Sequence, residues 1–373
     1  MLLKRISDSL PPKLATLIPE LESAGVRTTE SLLFTPPLTV LNLIPSLTAT
    51  QLDHLTSHIL KLTAPPPSRG DHVKAIDTVW AGFGVSGLDE LVEGPGGEGG
   101  LILEIAGPRK VGKSLLAQHA ALRILASDME ASCRWIDTEG SFAPERARTI
   151  LESWGVEEPK TILARMVVIP CFRLEAVFDA VAELKESIGN EQSDRPSTKV
   201  LVIDTIYTHF KDLLMNTSAQ GHADLITLME DVASVTYSRG MSSIITNSTA
   251  LSQPTNPVSV FNRVDIKPAL GTSFTYCTDI TLLVQETGRV FGMLDEEERQ
   301  RIRMQPGLRG MVEVIRSRIS TTGNWAVFET DGTRLYDVLP PHEVDERTTR
   351  ISAGLPTGPA RPIHGSLAQT MIP

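Results

Sequence analysis

Cysteine is scarce in this chain: Cys133, Cys171 and Cys277 are the three in 373 residues, widely spaced and with no C-x-x-C pair. That spacing excludes a disulfide framework and a cysteine-based zinc site. Two of the three sit in apolar runs, where a thiol packs as a small core residue. Long apolar runs are missing as well. No stretch approaches the ~18 residues of a membrane span, and the opening MLLKRISDSLPPK is too poor in apolar residues for a secretory signal, so an intracellular protein is expected. Aromatics make up 5% of the residues, with four Trp and four Tyr and no stripe on which bases could stack. Positive charge is in the minority, 35 Lys and Arg against 45 Asp and Glu, for a formal net charge of −10. Such a chain does not coat nucleic acid by global attraction, so any DNA contact must come from a local loop surface or from a partner.

What is present reads as an ordinary globular protein, 41% hydrophobic and 21% charged, long enough for one large domain and a small satellite. Residues 1–62 read as short helices broken by prolines, two of them opening on Ser/Thr-type N-caps in TTESLLFTP and TATQLDHLTSHILKL. A stiff Pro-rich linker over 63–77, containing TAPPPSRGDH, follows. From 78 to 338, buried-type apolar runs alternate with helical patterns: LILEIA, CRWIDT, RMVVIP, KVLVID, SSIITN, ITLLV, MVEVIRS and WAVFET. Runs of that kind separated by helices predict an α/β domain with a mostly parallel sheet, the last two strands forming an antiparallel hairpin at its edge around Gly323. NTSAQGHAD and ALSQPTNPVSVFNRVD read as irregular loops, the 286–310 region as a charged, solvated insertion, and 339–373 as a disordered tail.

The sharpest motif is GPRKVGKS, residues Gly107, Pro108, Arg109, Lys110, Val111, Gly112, Lys113 and Ser114, which meets G-x-x-x-x-G-K-[ST] between an apolar strand and a helical pattern. Glycines allow backbone N–H groups to converge on phosphates, Lys113 would neutralise the β and γ phosphates of ATP, and the Ser114 hydroxyl would hold Mg²⁺. KVLVIDT supplies a second metal-side group, Asp204, at the end of a buried strand. Glu139, just past the strand 133–137, could orient or deprotonate the attacking water, or be a surface carboxylate in a turn before Gly140. Lys211, Arg263 and Lys267 lie near the two irregular segments, as candidate DNA contacts or as solvated cations.

Taken in order, GVSGLDELVEGPGGEGGLILEIAGPRKVGKSLLAQHAAL, IDTEGSFAPER, KVLVIDT, SIITN and KPALG resemble the RecA-type recombinases of eukaryotes, and in particular their paralogs in homologous-recombination repair. The resemblance covers residues 80 to about 338, and LESAGVRTTESLLFTP with VDIKPALGTSF looks most like the D-type paralogs. It implies a RecA-like P-loop ATPase fold, a nuclear role in assisting recombinase assembly on single-stranded or junction DNA, and partnership with other paralogs and the main recombinase. It also implies DNA-stimulated ATP hydrolysis using Lys113, Glu139 and Asp204, with Ser114 and Asp204 at the metal. Two disordered loops near the DNA axis would fall at about 207–221 and 249–265.

The chain departs from the recombinase pattern twice. Ser248 stands where a full recombinase has the Gln that couples γ-phosphate to the second DNA loop, and the Phe-x-x-Ala anchor of subunit docking is absent from the linker. Those departures favour a heteromeric complex over a homopolymer, and leave open an adaptor that binds nucleotide without turning it over. Another RecA-like motor, a hexameric helicase or a clock-type kinase, shares the core motifs. The lack of a tandem copy of the motif set counts against the clock type.

Overall fold

The computed structural model describes residues 2–63, 78–92, 99–189, 197–215, 219–291 and 307–338. The linker beyond Thr63, the 339–373 segment and residues 292–306 of the 286–310 region lie outside the described residues. The chain divides into two compact units, 1–74 and 75–373.

The first unit is helical: α1 (Leu3–Ile6), α2 (Pro12–Ala15), α3 (Ile18–Ser23), α4 (Thr29–Phe34), α5 (Pro37–Leu43) and α6 (Ala49–Thr63). Prolines sit in the first turns of α2, α3 and α5, where a missing N–H costs no helical bond. Thr28 Oγ1 accepts the Ser31 N–H and caps α4. Thr48 and Gln51 cap α6 reciprocally, Thr48 Oγ1 accepting the Gln51 N–H and Gln51 Oε1 accepting the Thr48 N–H. The longest helix buries Leu52, Leu55 and Ile59, one face at helical spacing, against Leu3, Leu21 and Val40.

The second unit is built on a nine-stranded sheet of order β11-β10-β9-β8-β1-β5-β4-β2-β3. The strands are β1 (Leu101–Ala106), β2 (Ala131–Asp137), β3 (Met166–Pro170), β4 (Ser197–Asp204), β5 (Ser242–Asn247), β8 (Ile280–Glu286), β9 (Leu308–Ser317), β10 (Trp325–Thr330) and β11 (Leu335–Asp337). From β8 through β1, β5, β4 and β2 to β3 the pairing is parallel; β9, β10 and β11 add antiparallel strands on the other side. Every residue of β1 and β5 is buried, so neither strand shows the in-out alternation of a half-exposed one, and Glu104, Ser242, Ser243, Thr246 and Asn247 are buried with the apolar residues.

Helices α7 (Ser86–Val92), α8 (Lys113–Ser127), α9 (Pro144–Ser153) and α10 (Pro159–Leu163) contribute to one core cluster, around Trp135, Leu116 and Leu122. Helices α11 (Leu174–Gly189), α12 (Tyr207–Met215), α13 (Ala219–Arg239) and α14 (Gly271–Thr275) contribute to another, around Leu184, Leu228 and Phe274. A short α15 (Thr287–Phe291) follows β8. At the β9–β10 turn Gly323 takes φ +87°, donates its N–H to Val314 O and leaves no room for a Cβ beside Val260.

Two expectations are corrected. The segment expected to be a disordered loop at about 207–221, including the stretch read as irregular from Asn216, is helical over Tyr207–Met215 and again from Ala219 onward, because Phe210, Leu225, Leu228, Met229 and Val232 are buried and extend α13 back through its polar first turn. The 249–265 region, expected to be a disordered loop, is ordered. Its stems are β6 (Thr249–Leu251) and β7 (Ile266–Pro268), antiparallel to one another. Between them the Ser252 N–H donates to Asp265 O, the Asn256 N–H to Val264 O and the Asn256 side-chain amide to Ile266 O. Phe261 is fully buried against Phe291 and Trp325. Proline and asparagine in that stretch form turns rather than disorder, with one aromatic anchor to hold them.

Candidate functional site

Parallel register brings the chemically distinctive strand ends to one edge of the sheet. Ala106 lies opposite Asn247, and Asp137 opposite Asp204. Loops leaving those ends form the site, the usual place for ligands in an open parallel sheet.

The 107–114 loop turns between β1 and α8. Gly107 cannot carry a Cβ because Val284 O would stand 2.6 Å from it, while Lys110 (φ 68°) and Gly112 (φ 94°) take left-handed conformations that bend the chain into the helix. Lys113, the first residue of α8, curls back so that Nζ donates to Gly107 O at 2.9 Å and Pro108 O at 2.6 Å. Burial pulls its pKa below the ordinary lysine value, opposed by the negative charges of Asp204 and Glu139 and reinforced by Arg109. Val111 is core, whereas Arg109 and Lys110 are exposed.

Asp204 ends β4 and is buried, which raises its pKa; hydroxyl bonds from Thr246 and Ser114 oppose that rise. The Ser114–Asp204 contact is a pair of hard oxygen ligands of the kind Mg²⁺ takes from protein alongside substrate phosphates. Among the described residues no group of three or more His, Cys, Asp or Glu could hold a metal by itself. The donor set therefore fits a cation delivered with a nucleotide.

Asp137, the neighbour of Asp204 on β2, organises the turn beyond it. Its carboxylate accepts the N–H groups of Glu139, Gly140, Ser141 and Phe142 at 2.8–3.1 Å. Thr138 exchanges hydrogen bonds with the Thr205 backbone at 2.9 Å in each direction, tying that turn to β4. On this scaffold Glu139 is exposed, and its Oε1 accepts the Thr208 hydroxyl at 2.7 Å.

A cleft of about 430 Å³ opens beside the loop, with Lys110, Lys113 and Ser114 on one wall and Arg146, Thr330 and Asp331 on others. The sequence reading missed Arg146, Asp331, Asp137 and Thr246. Asp137 had a visible signal, a polar strand end before Thr-Glu-Gly; the others reach the site only through the fold.

Glu104 was missed too. It is fully buried on β1, Oε1 accepting the Asn247 amide at 2.7 Å and Oε2 the Thr281 hydroxyl at 2.9 Å, and the same amide donates to Ala269 O. Burial outweighs those bonds and pushes its pKa from 4.5 to about 7. The folded protein thus holds this proton more tightly than the unfolded chain. The resulting stability, about 3 kcal/mol in all, is full below the unfolded pKa and is lost as pH rises through about 7. Glu104→Gln should flatten the pH dependence of urea unfolding between about pH 4.5 and 7; an unchanged slope would remove Glu104 as its source.

Comparison with known proteins fits this geometry. A family model described as Rad51 matches residues 75–293. The DNA repair and recombination protein RadB of Pyrococcus abyssi is 26% identical over 225 residues, 60% of this chain and 87% of that protein. RadB of Pyrococcus furiosus is 31% identical over 128 residues, about half (51%) of its length. The DNA repair protein rhp51 of Schizosaccharomyces pombe is 31% identical over 148 residues, 38% of this chain and 40% of its own. The crystal structure of a RadB recombinase superposes with a TM-score of 0.52 at 20% identity, over 69% of this chain and all (100%) of that one, which shows a common RecA-like fold.

Proposed function

Because the chain belongs to the Rad51 family of DNA repair and recombination proteins, we propose that it binds Mg-ATP on residues 107–114 and uses it while assisting a recombinase on single-stranded DNA. One observation carries the nucleotide part: a lysine heads α8 beside a serine whose hydroxyl bonds a buried strand-end aspartate. In this reading Lys113 releases the Gly107 and Pro108 carbonyls and neutralises the β and γ phosphates. Ser114 and Asp204 hold Mg²⁺, which offsets phosphate charge when bound. Glu139, kept in place by the Asp137 turn and Thr208, orients the attacking water and accepts its proton.

The partner half of the proposal rests on what the surface offers. Among the described residues strand β3 is an edge of the sheet, and Val167 on it and Phe172 just past it are 52% and 65% exposed. An open edge with apolar side chains suits addition of another chain's extended segment. Lys211, Arg263 and Lys267 are exposed on α12, the 252–265 loop and β7, and serve as local DNA contacts on an otherwise acidic chain. Heteromeric assembly with other paralogs, a nuclear location and kinship with the D-type paralogs belong to this proposal.

A second reading, an adaptor that binds nucleotide without turnover, is favoured by Ser248. Its backbone is engaged, N–H to Asn247 Oδ1 and C=O to the Ala269 N–H, and its hydroxyl is shorter than the amide a recombinase places there. Recombinase coverage of single-stranded DNA, measured with and without this chain, separates assistance from inertness: faster or denser coverage supports the proposal and no change contradicts it. Turnover separates ATPase from adaptor.

A further inference from the structure

Asp331 is the one carboxylate among the described residues lining the cleft beside the phosphate loop, where Lys110, Lys113 and Arg146 are the cations. It is also held firmly. Oδ1 accepts the Thr333 and Arg334 N–H groups at 2.8 and 2.7 Å, and Oδ2 accepts the Tyr336 hydroxyl at 3.1 Å, which leaves Oδ2 capacity for a further donor.

The turn that presents it is pinned to the phosphate-loop helix. His119, on α8 and 2% exposed, has Nε2 at 2.8 Å from Thr333 O; facing a carbonyl, that nitrogen carries the hydrogen and donates it. The ring is set edge-on to Trp154 at 5.4 Å, so it cannot swing away without disturbing the core. One helix therefore carries Lys113 at its head and, through His119 less than two turns later, fixes the Asp331 turn.

A carboxylate repels a phosphate chain unless a cation lies between them; Asp204 meets that condition through its bond with Ser114, whereas Asp331, bonded to Thr333, Arg334 and Tyr336, is better suited to the uncharged part of a nucleotide. An acceptor without donors selects hydroxyls or amines, and the sugar, next along from the phosphates, offers two hydroxyls side by side. We infer that Asp331 is the sugar-recognising group of this cleft, accepting hydrogen bonds from the 2′- and 3′-hydroxyls, and that it makes the site selective for ribonucleotides over deoxyribonucleotides. This rests on the nucleotide reading above and extends it to specificity, with His119 as a positioning residue.

The test is calorimetric titration of the full chain, with Mg²⁺, using ADP, 2′-deoxy-ADP, 3′-deoxy-ADP, inosine diphosphate and tripolyphosphate. Wild type should bind ADP and inosine diphosphate alike and each deoxy form about tenfold more weakly, the effect of losing one bond to a charged acceptor. Asp331→Ala and Asp331→Asn should bring ADP down to the deoxy forms and leave tripolyphosphate unchanged, a ratio that general loosening of the turn does not produce. His119→Gln should lose the same discrimination in part. Equal binding of ADP and its deoxy forms by wild type would overturn the inference, as would an Asp331→Ala variant that still prefers ADP over its deoxy forms. If neither ADP nor tripolyphosphate binds, the nucleotide reading itself fails and takes the inference with it.

Discussion

Lys113→Ala is expected to weaken binding of Mg-ATP by at least about a hundredfold, since it removes a charge-assisted contact from phosphate oxygens that the loop holds away from water. The substitution is structurally mild. Lys113 is the first residue of α8, where alanine is the better helix former, and the two carbonyls it occupies, of Gly107 and Pro108, can be reached by water once Nζ is gone. Circular dichroism and the urea midpoint should therefore stay near wild type while titration heat disappears. Retained affinity in a folded variant would mean that the 107–114 loop is not the phosphate site.

Glu139→Gln acts at a different step. The amide keeps the length of the side chain and can still accept from Thr208, so Mg-ATP affinity should hold within a few-fold. It cannot take a proton. Loss of a positioned general base costs about 10²- to 10⁴-fold in rate, and turnover should fall into that range or below detection. The dissociation between intact binding and lost turnover distinguishes a water-activating role from a structural one, because Glu139 itself is exposed and the turn is held by Asp137.

Much of this was legible in the sequence, for identifiable reasons. The central parallel strands β1 and β5, and the C-terminal half of β4, are buried on both faces, so LILEIA, KVLVID and SSIITN stand out as mainly apolar or small-residue runs leading to Gly107, Asp204 and Ser248. Those ends are the site, and a motif defined by local spacing found half of it. Asp331, Arg146 and Glu104 were not legible. Asp331 joins Lys113 across a gap of more than two hundred residues through the antiparallel β9–β10 extension. A glutamate inside an apolar run, as at 104, gives no hint that Asn247 and Thr281 on the flanking strands will satisfy it. The 249–265 region misled for the opposite reason: its composition is that of a loose loop, and the order comes from β6–β7 pairing and from Phe261 packing on Trp325.

Steady-state ATP turnover by the purified chain, wild type against Glu139→Gln, with and without single-stranded DNA, tests the central claim most directly. The account predicts turnover in wild type that DNA raises and that the substitution removes, with nucleotide affinity kept in both. Tight binding with no turnover in either form, whether or not DNA is present, would contradict it and leave the nucleotide as a structural element of an adaptor.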